Sequence, residues 1–222
     1  MTRPQQARSA ATRQKILQAA VELFNEAGYA RVGLGDIIER AELTKGALYY
    51  HFDSKESLAG AIIGAASGAV YAAVRGIDDS PAPALENLIH LSFVMADLVA
   101  DDPIVRTGSQ MMRALGEFNE VAVQTYTSLG ALITTLVRTA GAEGDLRDGA
   151  DPDAVGEFFM STYLGAELLS IGTAGGQDMA ERLRSAWGVL LPAITTDDAL
   201  PYLLELVSRS AERRRSRVPK DP

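Results

Sequence analysis

Apolar residues recur along almost the whole chain at three- and four-residue intervals, the period of an α-helix buried on one face. In residues 12–27, TRQKILQAAVELFNEA, Ile16, Leu17, Ala20, Leu23 and Phe24 share one stripe. Thr12 suits the N-cap of that helix and Gly28 its stop. A second, short helix over about 35–41 turns Ile37 and Ile38 inward, and a third over about 45–51 has Thr44 as its N-cap. A fourth starts after Asp53 or Ser54, with Glu56 in its first turn, and runs to about Gly76. Pro81 and Pro83 in SPAPALE break the pattern, and the next helix reaches about Val99. Asp101-Asp102-Pro103 opens another, because proline fits a first helical turn and aspartate its positive dipole end. Helical periodicity returns over about 117–140, 152–173, 177–192 and 197–214, the last leading into a basic run, Arg213–Arg217, read as a solvated end. No strand hairpin and no fixed-period repeat stands out, so the pattern predicts an all-α protein of about nine or ten helices.

Composition narrows the reading. A chain of 222 residues with 47% apolar content can build one large domain or two unequal ones. Without cysteine there is no disulfide, no thiolate nucleophile and no cysteine-ligated zinc. No uninterrupted apolar run has membrane-spanning length and the first residues lack a signal-peptide core, so cytoplasmic residence without a membrane partner is expected. The net charge of −8 disfavours a nucleic-acid partner until its distribution is read. Residues 1–60 carry eight Lys/Arg against seven Asp/Glu; the remainder carries thirteen against twenty-two. A near-neutral head is thus attached to an acidic body that repels DNA. Of two histidines, His51 lies in the head and His90 reads as a packed or surface residue. Glycine-rich phosphate loops, nucleophile elbows and paired metal-ligand motifs are missing, so no enzyme, catalytic residue, cofactor or metal site is expected.

The chemistry concentrates between Gly33 and Lys55, GLGDIIERAELTKGALYYHFDSK: two short helices joined by a tight turn, then a polar, aromatic and basic face. That is the layout of a helix-turn-helix head whose second helix enters the DNA major groove. On the third helix Leu48 and Phe52 point inward with Ile37, Ile38 and Leu43, while Lys45, Tyr49 and His51 lie on the other side. Lys45 can reach a base edge or a phosphate, and Tyr49 and His51 can donate to phosphate oxygens. Thr44 and Lys55 sit at two helix N-termini, where orphan amides favour anions. Gly46 and Ala47 are small enough for close approach. On the residues alone, an amphipathic turn within a helical bundle is an equal alternative.

Residues 12–58, a helix ending LFNEAGY followed by DIIERAELTKGALYYHFDSKESL, resemble the DNA-binding domain of TetR-family transcriptional regulators. The resemblance implies a cytoplasmic all-helical homodimer, with a DNA-binding domain over 1–55 and an effector-binding and dimerisation domain over 56–222. It places Lys45, Gly46, Ala47 and Tyr49 at the groove and Thr44, His51 and Lys55 at phosphates; Tyr50 either packs on the first helix or touches DNA. It implies a double-stranded operator and a small-molecule effector as partners, with repression as the commoner outcome. Gly33 departs from the pattern, since the family usually has Ser or Thr there; the cap is slightly weaker and one possible bond to the DNA backbone is removed.

In this family the last two long helices build a four-helix dimer interface. Over 152–173, Phe159, Tyr163, Ala166 and Ser170 form one stripe and Met160, Leu164, Leu168 and Ile171 another, as expected of a helix covered on two sides. Residues 177–192 add Met179, Leu183, Trp187, Leu190 and Leu191. Segment 117–140 intersperses Gln124, Thr125, Tyr126, Thr127, Thr134 and Thr135 among apolar residues, a composition suited to a mostly apolar ligand held by a few hydrogen bonds. The ligand-site candidates are Phe93, Gln110, Met111, Tyr126, Phe159, Met160, Tyr163 and Glu167; the competing reading is core packing and solvated faces. TKGALYYHFDSKESLA, LIHLSFVMADLVADDPIVRTGSQM and GDLRDGADPDAV also resemble, in order, the γ-butyrolactone-type autoregulator receptors of actinobacteria. That subgroup implies a butyrolactone or butenolide effector but carries a tryptophan in the pocket helix. Here the only tryptophan is Trp187, and Tyr126 lies near the corresponding place. A TetR-like regulator of an efflux or catabolic gene answering to an unrelated hydrophobic ligand is the alternative, and a helical protein-interaction adaptor a third.

Overall fold

The computed structural model describes residues 3–78 and 81–215. Ten α-helices follow in order: α1 (Arg3–Ala27), α2 (Leu34–Arg40), α3 (Lys45–His51), α4 (Lys55–Asp78), α5 (Ala84–Asp101), α6 (Pro103–Leu115), α7 (Glu120–Glu143), α8 (Pro152–Ala174), α9 (Met179–Ile194) and α10 (Leu200–Arg215). Among the described residues there is no strand, only an isolated antiparallel bridge between Leu146 and Thr195. The expected all-α class and helix count hold.

The chain forms two compact units: residues 1–70 with 101–125, and residues 71–100 with 126–222. These are drawn by packing and do not follow the 1–55/56–222 division, because α6 and the start of α7 belong with the head. In the first unit Ile16, Leu17, Ala20, Phe24, Ile37, Leu48, Phe52, Leu58, Ile62, Ile63 and Met111 share one core. Two details fix α6 there. Asn25 Nδ2 donates to the buried Thr107 Oγ1 at 2.7 Å. Gly108 packs so closely that a Cβ would come within 2.3 Å of Ala66 Cβ on α4.

In the second unit the core centres on Trp187, which stacks on Phe159 with ring centroids 4.7 Å apart. Its indole N–H donates to Ser92 Oγ at 3.1 Å, which satisfies the one polar atom of an otherwise buried ring. Gly156 lets α8 approach α7, since a Cβ there would lie 2.8 Å from Thr134 Oγ1. Glu143 Oε2 accepts from the Ala84 amide at 2.7 Å and so satisfies an orphan donor at the start of α5.

Four expectations are revised. α1 begins at Arg3, and Thr12 is no cap: its hydroxyl donates back to the Arg8 carbonyl at 3.0 Å, inside the helix. The basic run is not solvated throughout: Arg213 is exposed, but Arg214 is buried and ion-paired with Asp97, and residues 216–217 lie outside the described residues. The hydroxyls of 117–140 do not all face a cavity: those of Thr125 and Thr135 donate to the preceding turn's carbonyls, and Thr127 and Thr135 are exposed. Finally, Lys55–Arg75 is long and apolar enough to cross a membrane, with a mean hydropathy of 1.6. Glycine, alanine and serine interrupt its apolar pattern without making it polar, and its Leu58, Ala59, Ile62 and Ile63 are core residues of the first unit.

Candidate DNA-reading site

Two seven-residue helices are too short to persist alone, so α2 and α3 depend on caps and on burial against α1. At the start of α2, the Asp36 carboxylate accepts from the Gly33 amide at 2.7 Å, one half of a capping box; glycine has no hydroxyl to supply the other half, a bond accepted from the Asp36 amide. Arg40 at its end donates to Glu26 through both terminal nitrogens, at 3.0 and 2.8 Å, and to Glu22 at 3.3 Å, which ties α2 to α1. These hydrogen bonds hold the Glu26 carboxyl below its usual range and raise the guanidinium of Arg40.

The turn between α2 and α3 closes with the Ala41 amide on Ile37 O and the Leu43 amide on Ile38 O, at 2.9 and 3.1 Å. Glu42 takes φ +50°, the sole non-glycine residue with positive φ among those described. A glutamate there carries a steric cost of about 1 kcal/mol. Lys15 lies 3.7 Å from its carboxylate, but both side chains are too exposed for that ion pair to offset much.

α3 has the boundaries and the cap expected of it. The Thr44 hydroxyl accepts from the Ala47 amide at 3.2 Å, and the helix ends at Phe52 in extended conformation. Leu48 and Phe52 are buried; Lys45, Gly46, Tyr49 and Tyr50 are exposed, and Ala47 and His51 half-buried. Lys45 Nζ sits 5.7 Å from the Tyr49 ring centroid, so both project on one face. Ser54 starts α4: it and Ser57 exchange amide-to-hydroxyl bonds at 3.0 and 3.3 Å, which puts Lys55 in the first turn.

Two aromatic–cation pairs escaped the sequence. Lys55 Nζ lies 4.2 Å over the Tyr29 ring, and the Arg13 guanidinium 5.2 Å over the Phe52 ring. The neutral Tyr29 ring offers its π-face to the ammonium, and burial, with Glu56 second, pushes its phenol up. Helical periodicity does not reveal these pairs, because the partners are 26 and 39 residues apart in the chain. The arrangement presents amide donors at two helix starts, a lysine at each and aromatic hydroxyls between, a donor set matched to phosphate oxygens and base edges.

The eight ligand-site candidates are divided between the two units. Gln110 and Met111 belong to the first unit, where Met111 is a core residue. The other six lie in the second unit. There Phe93, Phe159, Tyr163 and Glu167 are buried, and Met160 and Tyr126 half-buried. Trp187, which the sequence placed outside the pocket helix, packs directly on Phe159.

Residues 16–62 match the family described as "Bacterial regulatory proteins, tetR family". The A-factor receptor protein of Streptomyces griseus is 27% identical over 201 residues, 89% of this chain and 69% of its own. The nucleoid occlusion factor SlmA of Marinobacter nauticus is 32% identical over 143 residues, 63% of this chain and 71% of its own. A crystal structure of a gamma-butyrolactone receptor, an ArpA-like protein, superposes with a TM-score of 0.79 at 27% identity, covering 93% of this chain and 99% of that one. The capped α3 with its exposed Lys45–Tyr49 face and these matches lead to one conclusion: the chain belongs to the TetR family of bacterial regulators, DNA-binding transcription factors that respond to ligands.

Proposed function

We propose that the protein is a cytoplasmic repressor that works as a homodimer, reads a palindromic operator with residues 1–55, and releases it when a small, mostly apolar molecule binds within 56–222. The reading is of a regulator, not an enzyme. The observation that carries it is the outward set Lys45, Tyr49 and Lys55 on two capped helix starts. In this reading Lys45, Gly46, Ala47 and Tyr49 meet the groove, and Thr44, His51 and Lys55 meet phosphates.

For dimerisation, α8 and α9 leave Phe158, Leu168, Leu169 and Val189 exposed beside the small Gly165 and Gly188. These exposed apolar side chains support pairing of the two helices with a second copy. For the effector, the buried row Phe159, Tyr163 and Glu167 on α8, with Trp187 stacked on Phe159 and Phe93 in the same core, supports a ligand with an apolar body and few polar groups. The remaining ligand-site candidates are Gln110, Met111, Tyr126 and Met160. A γ-butyrolactone is the first class to try, by likeness to relatives so named. Continuity of α4, which contributes residues to both compact units, supports it as the element the ligand moves.

The test is release. A duplex selected by the protein from a randomised library is titrated, in the bound state, with butyrolactones and butenolides. Operator affinity is expected to drop at least about tenfold, a coupling within the common range. Tight ligand binding that leaves operator affinity unchanged would remove the repressor-release mechanism.

A further inference from the structure

α1 is longer than the head requires. From residue 5 onward the first buried residue is Ile16, and residues 5–15, three turns of helix, are exposed or half-buried throughout. In a chain of net charge −8, residues 1–21 contain no acidic residue and four cations: Arg3, Arg8, Arg13 and Lys15. Burial does not explain these turns; Lys15 lies against Glu42, and the arginines on an otherwise acidic protein call for an anionic partner.

Arg13 shows where that partner lies. Its guanidinium rests over the ring of Phe52, the residue that ends α3. Arg13 also borders a shallow open groove with Tyr49, Tyr50, His51 and Asp53, and Asp53 is the one anion among its lining residues. Arg13 thus joins the first turns of α1 to the outward face of α3. Arg8 stands about 7.5 Å farther along the helix axis at 1.5 Å per residue, and about 140° round it at 3.6 residues per turn.

We infer that the first three turns of α1 form a second DNA-contact element, gripping phosphates beside the groove that α3 enters, with Arg13 as its inner anchor. The inference rests on the DNA-reading function proposed above. The grip is electrostatic and blind to sequence: it adds to affinity for any duplex and steepens the salt dependence. The Phe52 ring limits the motion of the Arg13 side chain, so the charge is held near the groove before DNA arrives.

The test compares wild type, the double variant Arg8→Gln/Arg13→Gln and Arg13→Lys in the full chain. The probes are a 30-base-pair duplex selected from a random library and a scrambled duplex of equal length. The double variant is expected to lose roughly three- to tenfold affinity for both duplexes. Its salt slope should fall by about one for each phosphate that the variant no longer neutralises. Arg13→Lys, which keeps the charge, should retain the slope. An unchanged slope and affinity in the double variant would overturn the inference while leaving the DNA-reading function intact. Weakening confined to the selected duplex would also overturn it, by assigning the arginines to base recognition. A wild-type protein that enriches no duplex would sink the function itself.

Discussion

Replacing Leu168 and Leu169 together by glutamate should convert the protein to a monomer and lower its operator affinity by roughly a hundred- to ten-thousandfold. The size follows from linkage: when one head is bound, the partner's head is held near its half-site at a high effective concentration, and that advantage vanishes with the dimer. Both leucines are more than half exposed in the protomer, at 56% and 53%, so the substitutions leave no cavity. Glutamate is a good helix former and keeps α8 intact. Four carboxylates brought into an apolar two-fold interface would repel one another and lose hydration. Sedimentation equilibrium reads the assembly state and fluorescence anisotropy the affinity. A variant that stays dimeric at micromolar concentration would move the interface away from the α8–α9 face.

Trp187→Ala should destabilise the second unit by about 3–5 kcal/mol, the range for truncating a buried aromatic side chain. The ring is 1% exposed, stacks on Phe159 and donates to Ser92. Its removal leaves a void beside the effector candidates and deprives Ser92 Oγ of a donor, although that hydroxyl still donates to Ile89 O at 2.6 Å. Urea unfolding followed by circular dichroism measures the change. Trp187→Phe, which retains most of the volume and the stack, should cost far less. Equal stability of wild type and the alanine variant would mean that the second unit's core does not centre on this ring.

How much of the fold was legible depended on how local each cause is. α3 could be bounded to the residue because its determinants lie within nine positions: Thr44 caps it, Leu48 and Phe52 supply its buried side, and Phe52 leaves helical geometry. The same local logic misled at Thr12. A threonine ahead of an apolar stripe reads as a cap, but nothing before it breaks a helix beyond Pro4, and prolines are tolerated in a first turn. The head face was legible for a further reason: an exposed tyrosine and lysine on a helix that buries leucine and phenylalanine already breaks the amphipathic rule.

What failed to show in the sequence was pairing across long separations. Arg214 meets Asp97 across 117 positions, and Trp187 meets Ser92 across 95. Neither pattern nor propensity along one helix encodes which other helix will face it. The effector candidates are the least legible: Met111 in one core and Phe159 in the other have the same helical spacing whether they line a ligand site or only pack.

Central to the proposed regulator is that the outward face of α3 and the first turn of α4 hold DNA. The direct measurement is the equilibrium affinity of wild type, Tyr49→Phe and Lys55→Ala for the selected and the scrambled duplex, at two salt concentrations. The wild type is expected to prefer the selected duplex and to weaken steeply with salt. Lys55→Ala should weaken binding to both duplexes and flatten the salt slope. Tyr49→Phe should reduce affinity with little change in thermal stability, since its side chain is exposed. Wild-type affinity in both variants, or equal affinity for either duplex at every salt concentration, would contradict DNA reading by this face.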